Sequence, residues 1–430
     1  MESKIEYTVK DRASFCRYNE FTGFMRGQKE ALCVAGTEEN EMNLRIAELR
    51  KRTGLTQQEL GERLSVSFQT VSKWENGVTM PDLTMIPALT ECFQVSADEL
   101  LGMVPLKDEY VPSDAGTKGY WQNRMEYLKL TREMIWNVDY MRFLVEQVWK
   151  IDHPVKVLDC GCGYGALGLL LLPLLPEGSS YTGMDFSAAL LEEGRRILRA
   201  LECQEEDSQE QGSQERGGQR YGNRIRFVEG DLFELEEKER YDLVVSQGVL
   251  RHVNHGELVL HNMVRAAVRG GLVVCIECSR ELEAGGLYID GMDYEAMCRR
   301  EGLRKLWRTE YTRQGRDYAI AARIPFLMRK EGLDRVDVRM NDRVTCLYPG
   351  QDGYEQSLSA LKAANGWETC VSLEQEETAI RGLMSRGMDR KGAEDYVRQQ
   401  NEIARFLEKN GEKAALTRFS GIMAAYGWKG

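Results

Sequence analysis

The stretch Val155-Lys-Val-Leu-Asp-Cys-Gly-Cys-Gly-Tyr-Gly165, followed by Ala166-Leu-Gly-Leu-Leu-Leu-Leu172, decides how this chain folds. An apolar run ends in an acid, glycines then alternate with other residues, and a leucine-rich segment follows. That order predicts a buried strand, a loop and a helix. Glycine lets a ligand approach the backbone closely, because it has no side chain and tolerates positive φ. Asp159, Gly161, Gly163 and Gly165 give acid-x-Gly-x-Gly-x-Gly. A dinucleotide fingerprint would place its third glycine one residue later and would need no acid before the first.

Outward from this loop, strands alternate with helices. The expected strands are Lys156–Asp159, Ser180–Asp185, Ile225–Glu229, Tyr241–Gln247 and Gly271–Glu277. Such alternation predicts parallel βαβ units with right-handed crossovers. Residues 203–222 are polar and glycine-rich and read as a disordered insertion. Residues 280–330 and 354–412 read as helical, Leu333–Met340 and Phe419–Tyr426 as further strands.

The loop resembles motif I of class I S-adenosylmethionine (SAM) methyltransferases. The resemblance is close over Ile151–Glu277 and loose over the rest of residues 120–430. It implies an α/β Rossmann-like domain with a mostly parallel seven-stranded sheet and helical additions, the segments 280–330 and 354–412 covering an acceptor pocket. By family role, Asp159, Gly161 and Gly163 bracket the methionine part of SAM, and Cys162 and Tyr164 belong to the same loop. The helix starting near Tyr164 would offer free N–H groups to the carboxylate. Asp185, ending the second strand in Gly183-Met-Asp-Phe-Ser187, would accept from both ribose hydroxyls, with Phe186 beside the adenine and Ser187 adjoining. Asp231 would receive the adenine amino group, with Leu232 supplying a backbone N–H. Gln247 would line the methionine side. A lone acid at a strand end is more often a turn or cap residue. Here the acids come in order, each at a strand carboxyl end, where open α/β sheets bind ligands. A nicotinamide-binding domain is the competing reading.

Methyl transfer from a sulfonium needs chiefly alignment of the nucleophile. A general base helps only when the acceptor carries a proton at neutral pH. His252, just past the fourth strand, is the candidate base; its other reading is a loop cap packed under the cofactor. His252, His255 and His261 lack compact zinc spacing, and no metal is expected. No Asn/Asp-Pro-Pro-Tyr/Phe motif follows the fourth strand, where Ser246-Gln-Gly-Val249 stands instead. That argues against methylation of DNA bases and for a small-molecule acceptor. Tyr120, Trp121, Tyr127, Trp136, Asn137 and Tyr140 form either a lid over the cofactor or packing against the sheet.

Residues 43–102 read as five short helices. Leu55-Thr-Gln-Gln-Glu-Leu-Gly-Glu-Arg-Leu-Ser-Val-Ser-Phe-Gln-Thr-Val-Ser-Lys-Trp-Glu-Asn-Gly77 resembles the helix-turn-helix of Cro/CI-type, xenobiotic-response-element regulators. This implies double-stranded DNA as partner. The second helix would enter the major groove, with Ser67 as its cap and Phe68, Gln69, Thr70 and Lys73 facing bases or phosphate. Gln57 would touch phosphate through its side chain or N–H, and Arg50, Lys51 and Arg52 add a basic cluster. Six basic residues stand against eight acidic ones between 43 and 102. Nonspecific affinity is therefore expected to be low, with a homodimer on a two-part operator compensating. A helical protein-interaction domain is the alternative.

The whole chain of 430 residues has a formal charge of −11, which argues against a generic nucleic-acid coat. No apolar run has transmembrane length, and eleven cysteines in a chain this long are not a disulfide framework. The expected location is a bacterial cytoplasm. Residues 1–42 read as an N-terminal extension, and 103–119 as a linker. The combined expectation is a DNA-binding regulator domain fused to a small-molecule methyltransferase. The alternative is a regulator whose methyltransferase fold only senses SAM or a ligand.

Overall fold

The computed structural model describes residues 44–107, 110–114, 117–210, 221, 224–298 and 301–430. The chain divides into two units with the boundary after Gly102. The extension expected over 1–42 and residues 211–220 of the expected insertion lie outside the described residues.

The first unit is helical: α1 (Ile46–Arg52), α2 (Gln57–Leu64), α3 (Phe68–Glu75), α4 (Ile86–Phe93) and α5 (Ala97–Leu100). Thr56 with Glu59 and Ser96 with Glu99 form reciprocal capping boxes at α2 and α5, satisfying backbone N–H groups that a helix start leaves free. The turn between α2 and α3 is tight. Ser65 adopts φ 57°, and a Cβ on Gly61 would lie 2.7 Å from the Val66 carbonyl oxygen. Ile46, Leu60, Val71, Leu89 and Leu100 close the core.

The second unit holds a seven-stranded sheet of order β3-β2-β1-β4-β5-β10-β7. Its strands are β1 (Lys156–Cys160), β2 (Ser180–Asp185), β3 (Ile225–Glu229), β4 (Tyr241–Gln247), β5 (Ala267–Cys278), β7 (Leu333–Met340) and β10 (Ile422–Lys429). The first five are mutually parallel, while β10 runs antiparallel between β5 and β7. Alternation along each central strand feeds two cores. Leu158, Val244 and Val273 face one side, with Val259 and Ile324. Val157, Leu243 and Val274 face the other, with Leu171 and Leu144. Strands covered on both faces read as continuous apolar runs, which is why these were legible.

The last strand begins three residues later than expected. Gly421 at φ 59° breaks the run, and a Cβ there would meet Leu282 at 2.3 Å. Leu416–Phe419 forms a separate strand, β9, in a three-stranded sheet with β6 (Leu287–Ile289) and β8 (Val344–Leu347). The short β6 falls within the region expected to be helical. The helix Ala188–Glu210 runs eight residues into the expected insertion. The expected linker is partly anchored on the second unit. Pro105 and Leu106 are buried, Arg313 donates to the Pro105 carbonyl at 2.8 Å, and Tyr110 donates to Gln314 at 2.7 Å.

Candidate functional site

The strand order reverses between β1 and β4, and the glycine loop sits at the carboxyl end of that switch point, where doubly wound sheets bind ligands. Gly161, Gly163 and Gly165 all take positive φ. A Cβ on Gly161 would come within 2.5 Å of Val249, whereas one on Gly163 would meet nothing within 4 Å. The first glycine is therefore required by packing and the second keeps the cavity open. The N–H groups of Gly161 and Cys162 donate to the Met184 carbonyl at 2.8 and 3.0 Å, tying the loop to the end of β2.

Asp185 is buried. Its Oδ2 accepts from the Gly163 N–H at 2.8 Å and its Oδ1 from the Ser187 N–H at 2.9 Å. A carboxylate accepts about four hydrogen bonds, so it retains capacity for a further donor beyond the backbone N–H groups around it. Burial raises its pKa, and the backbone donors oppose that. Phe186, Leu190, Asp231, Leu232 and Val249 line the same cavity, of about 140 Å³. Asp231 is exposed and accepts from the Phe233 N–H at 2.9 Å. Ser187 contributes its N–H to Asp185, and its hydroxyl is buried without a partner.

A smaller cavity of about 20 Å³ adjoins the loop, lined by Asp159, Cys162, Tyr164, Gln247 and Arg132 among others. Asp159 is 1% exposed. Its Oδ2 accepts from Tyr181 at 2.5 Å, while Oδ1 has no partner. Burial pushes this carboxyl up to about 7 against the Tyr181 hydrogen bond. Across the same cavity stands Arg132, on the helix Met125–Glu133. Among the described residues, no carboxylate pairs with it, and burial holds its guanidinium below the usual range. An orphaned carboxylate oxygen and a guanidinium on one small cavity complement an amino-acid zwitterion: ammonium toward Asp159, carboxylate toward Arg132. With Asp185 positioned for a diol, the residues fit SAM. The helix after the loop starts at Ala166, later than expected, and spans only six residues. Arg132, not that short helix, is the better partner for the carboxylate. Sequence reasoning missed it because nothing local separates this arginine from others on an amphipathic helix.

Gln247 accepts from the Trp136 indole at 2.7 Å, which fixes its amide. Of the six candidate lid residues, Trp121 lines the larger cavity and packs edge-on against His252 at 4.9 Å. Tyr140 instead donates to the Met340 carbonyl, and Asn137 accepts from Arg343. These two are packing.

His252 lines the larger cavity. Its Nε2 lies 3.0 Å from Arg251 Nε, which can only donate. The proton of the neutral ring is thereby assigned to Nδ1, which is buried without a partner. Burial first, then the surrounding Arg251, Arg280, Arg316 and Arg132, hold the imidazole pKa well below its ordinary value. The geometry suits a hydrogen-bond donor at Nδ1, because the basic nitrogen already faces a permanent cation. Glu277, read from sequence only as a strand end, receives the N–H groups of Val249 and Leu250 at 2.8 and 2.7 Å and pins this loop. His255 and His261 pair separately, with Glu257 and Glu331.

On the first unit, Phe68, Gln69 and Lys73 are exposed on α3. Ser67 caps α3 by accepting from the Thr70 N–H at 3.2 Å, and the two hydroxyls lie 2.9 Å apart. Gln57 and Arg50 are committed elsewhere. Glu75 takes Gln57 Nε2 at 2.7 Å and both Arg50 Nε and Nη2, at 2.6 and 3.1 Å. Burial would raise the Glu75 pKa; the Arg50 and Gln57 hydrogen bonds outweigh it and hold the group ionised. Arg50 is thus a structural tie, and Gln57 keeps its backbone N–H and one side-chain N–H for phosphate.

Comparison with known proteins agrees with this division. Residues 46–100 match the helix-turn-helix family model and residues 158–273 a methyltransferase domain model. The chain is 39% identical over 61 residues to the HTH-type transcriptional activator BcrR of Enterococcus faecalis, covering 14% of this chain and 30% of that protein. It is 29% identical over 127 residues to a demethylmenaquinone methyltransferase of Staphylococcus aureus, covering 29% of this chain and 44% of that one. It spans less than half the length of either relative. Among solved structures, the [4+2]-cyclase SpnF aligns with a TM-score of 0.38 at 14% identity, over 76% of this chain and 99% of that one. The chain carries a helix-turn-helix domain followed by a Rossmann-like methyltransferase domain. No helix among the described residues is long and apolar enough to cross a membrane.

Proposed function

We propose that the second unit binds SAM and methylates a small-molecule acceptor, and that the first binds double-stranded DNA as a transcription regulator. The observation that carries the cofactor reading is the buried, unpartnered Asp159 Oδ1 on a small cavity that the Arg132 side chain also lines. An unpaired buried carboxylate oxygen is costly, and a zwitterionic ligand would satisfy it while placing its own carboxylate toward Arg132. When bound, the cofactor supplies an activated methyl group on a sulfonium. The chain's own residues do the rest. Asp185 holds the ribose, Phe186 and Leu232 flank the adenine, Asp231 accepts its amino group, and Gln247 borders the methionine side. Trp121 excludes water from above.

For the first unit, α3 is the reading helix, with Gln69 and Lys73 toward bases or phosphate and Phe68 and Thr70 beside them. Its low net charge favours a homodimer on paired half-sites. A cytoplasmic location fits both activities.

Calorimetry with SAM tests the reading directly: micromolar binding that is lost in Asp185→Ala is expected, and unchanged binding in that variant would remove the ribose assignment. Incubation with labelled SAM and a metabolite panel tests turnover. A second reading, a regulator that senses SAM or a ligand without turnover, draws support from the anchored residues 105–106 and 110–113. Val111 donates to the Ser385 carbonyl at 2.9 Å, tying the chain that leads from the DNA-binding unit to the helical cover. Operator binding that changes with SAM, with no methyl transfer to any acceptor, would favour that reading.

A further inference from the structure

Behind His252 lies a group of arginines that the cofactor does not use, Arg316 buried and Arg251 and Arg280 partly exposed. Arg251 donates to His252 Nε2 and stands 4.0 Å from Glu283 through Nη1, too far for a hydrogen bond. Arg280 pairs with Glu283. Arg316, 1% exposed, reaches Glu310 only at 3.5 Å, and Glu310 is already held by Arg386 at 2.5 Å. Arg280 and Arg316 both lie beside the Tyr318 ring, at 5.7 and 5.3 Å. Arg251 Nη1, Arg280 Nε, Arg316 Nε and Nη1, and His252 Nδ1 are all buried with no hydrogen-bond partner.

These orphans are donors, and they outnumber the unpartnered acceptors of the same region, Glu277 Oε2 and Glu310 Oε2. Donors buried in excess of acceptors cost more than they contribute unless a further acceptor arrives. His252 is the member that reaches the cavity wall, and its loop is fixed by Glu277. We infer that the methyl acceptor binds as an anion, its oxygen receiving the Nδ1–H of His252, with Arg251 as the positioning residue that holds the imidazole in its donating tautomer. The arginines keep that ring neutral by repelling a further positive charge. The same field favours the ionised form of an acidic acceptor, so no general base is required. The anion is a carboxylate, phosphate or ionised hydroxyl.

This inference rests on the SAM reading, and the test separates the two. The full-length chain is first titrated with S-adenosylhomocysteine, then the saturated complex with benzoate, phenyl phosphate, benzamide and benzylammonium. Binding of benzoate or phenyl phosphate at least tenfold tighter than benzamide, and no binding of benzylammonium, is expected; which of the two anions binds tells carboxylate from phosphate. Arg251→Met should abolish the preference and Arg251→Lys restore part of it. Nitrogen-15 histidine spectra of the wild type should show His252 neutral, protonated on Nδ1, and shifted by the anion but not by benzamide. That readout stands even if a variant fails to fold. Product binding with equal affinity for benzoate and benzamide, or with no anion bound, would overturn this inference alone. Absence of product binding would overturn the cofactor reading and this inference with it.

Discussion

Asp159 gives the most discriminating test of the cofactor pocket. Its carboxyl is buried, with one oxygen on Tyr181 and the other free toward the small cavity, and its pKa is raised to about 7. If Oδ1 receives the ligand's ammonium, only the ionised form binds well. With a pKa of about 7, roughly three quarters of the group is ionised at pH 7.5 and about 3% at pH 5.5, so affinity should fall about 25-fold, or about 2 kcal/mol. An α-ammonium with a pKa of about 7.7–8.0 is still roughly two-thirds protonated at pH 7.5, so the ligand changes the slope by less than twofold. Asp159→Asn should flatten the profile and weaken binding at pH 7.5 to about the wild-type level at pH 5.5. The stability sign runs the other way. A carboxyl whose folded pKa exceeds its unfolded value of about 3.8 destabilises the ligand-free fold as pH rises from about 4 to 7, and the cost persists above. The asparagine variant should therefore melt no lower than wild type at pH 8 while binding SAM more weakly. Calorimetry across pH together with thermal denaturation reads both. A pH-independent wild-type affinity, or an unchanged slope in the variant, would refute the assignment of Asp159.

Other perturbations follow from the same contacts. Arg132→Met removes the guanidinium proposed for the SAM carboxylate, so affinity should fall by about 1.5–3 kcal/mol in calorimetry, with thermal denaturation checking that the fold survives. Arg50→Met breaks a tie whose side chains are 12% and 6% exposed. It leaves Glu75 with no ion-pair partner and only the Gln57 hydrogen bond, and should destabilise the helix-turn-helix unit by about 3 kcal/mol in denaturant unfolding. Weaker operator binding by that variant, with unchanged stability, would instead place Arg50 on DNA. Gln69→Ala should cost about 1–3 kcal/mol at one operator position and relax preference there, whereas Lys73→Met should weaken binding to all sequences and lower its salt dependence, measured by fluorescence anisotropy. Gly161→Ala forces a Cβ against Val249 at positive φ, and should lower SAM affinity even where the fold survives.

What the sequence determined by itself is local. The strand boundaries at Ser180–Asp185, Ile225–Glu229 and Tyr241–Gln247 coincide with those observed, because doubly covered strands are short apolar runs bounded by turn residues. The caps at Thr56, Ser67 and Ser96 were legible because a cap and its helix lie within four residues of each other. The order of acids at strand ends placed Asp159, Asp185 and Asp231 on one edge, since parallel strands share a direction. Only the tertiary structure decided which side chains meet from distant positions. It set Arg132 across from Asp159, committed Arg50 and Gln57 to Glu75, occupied the basic nitrogen of His252 with Arg251, and slid β10 between β5 and β7. Those pairings depend on how faces pack and on which charges are left without partners once water is excluded. No residue carries that information in its own neighbourhood of the chain.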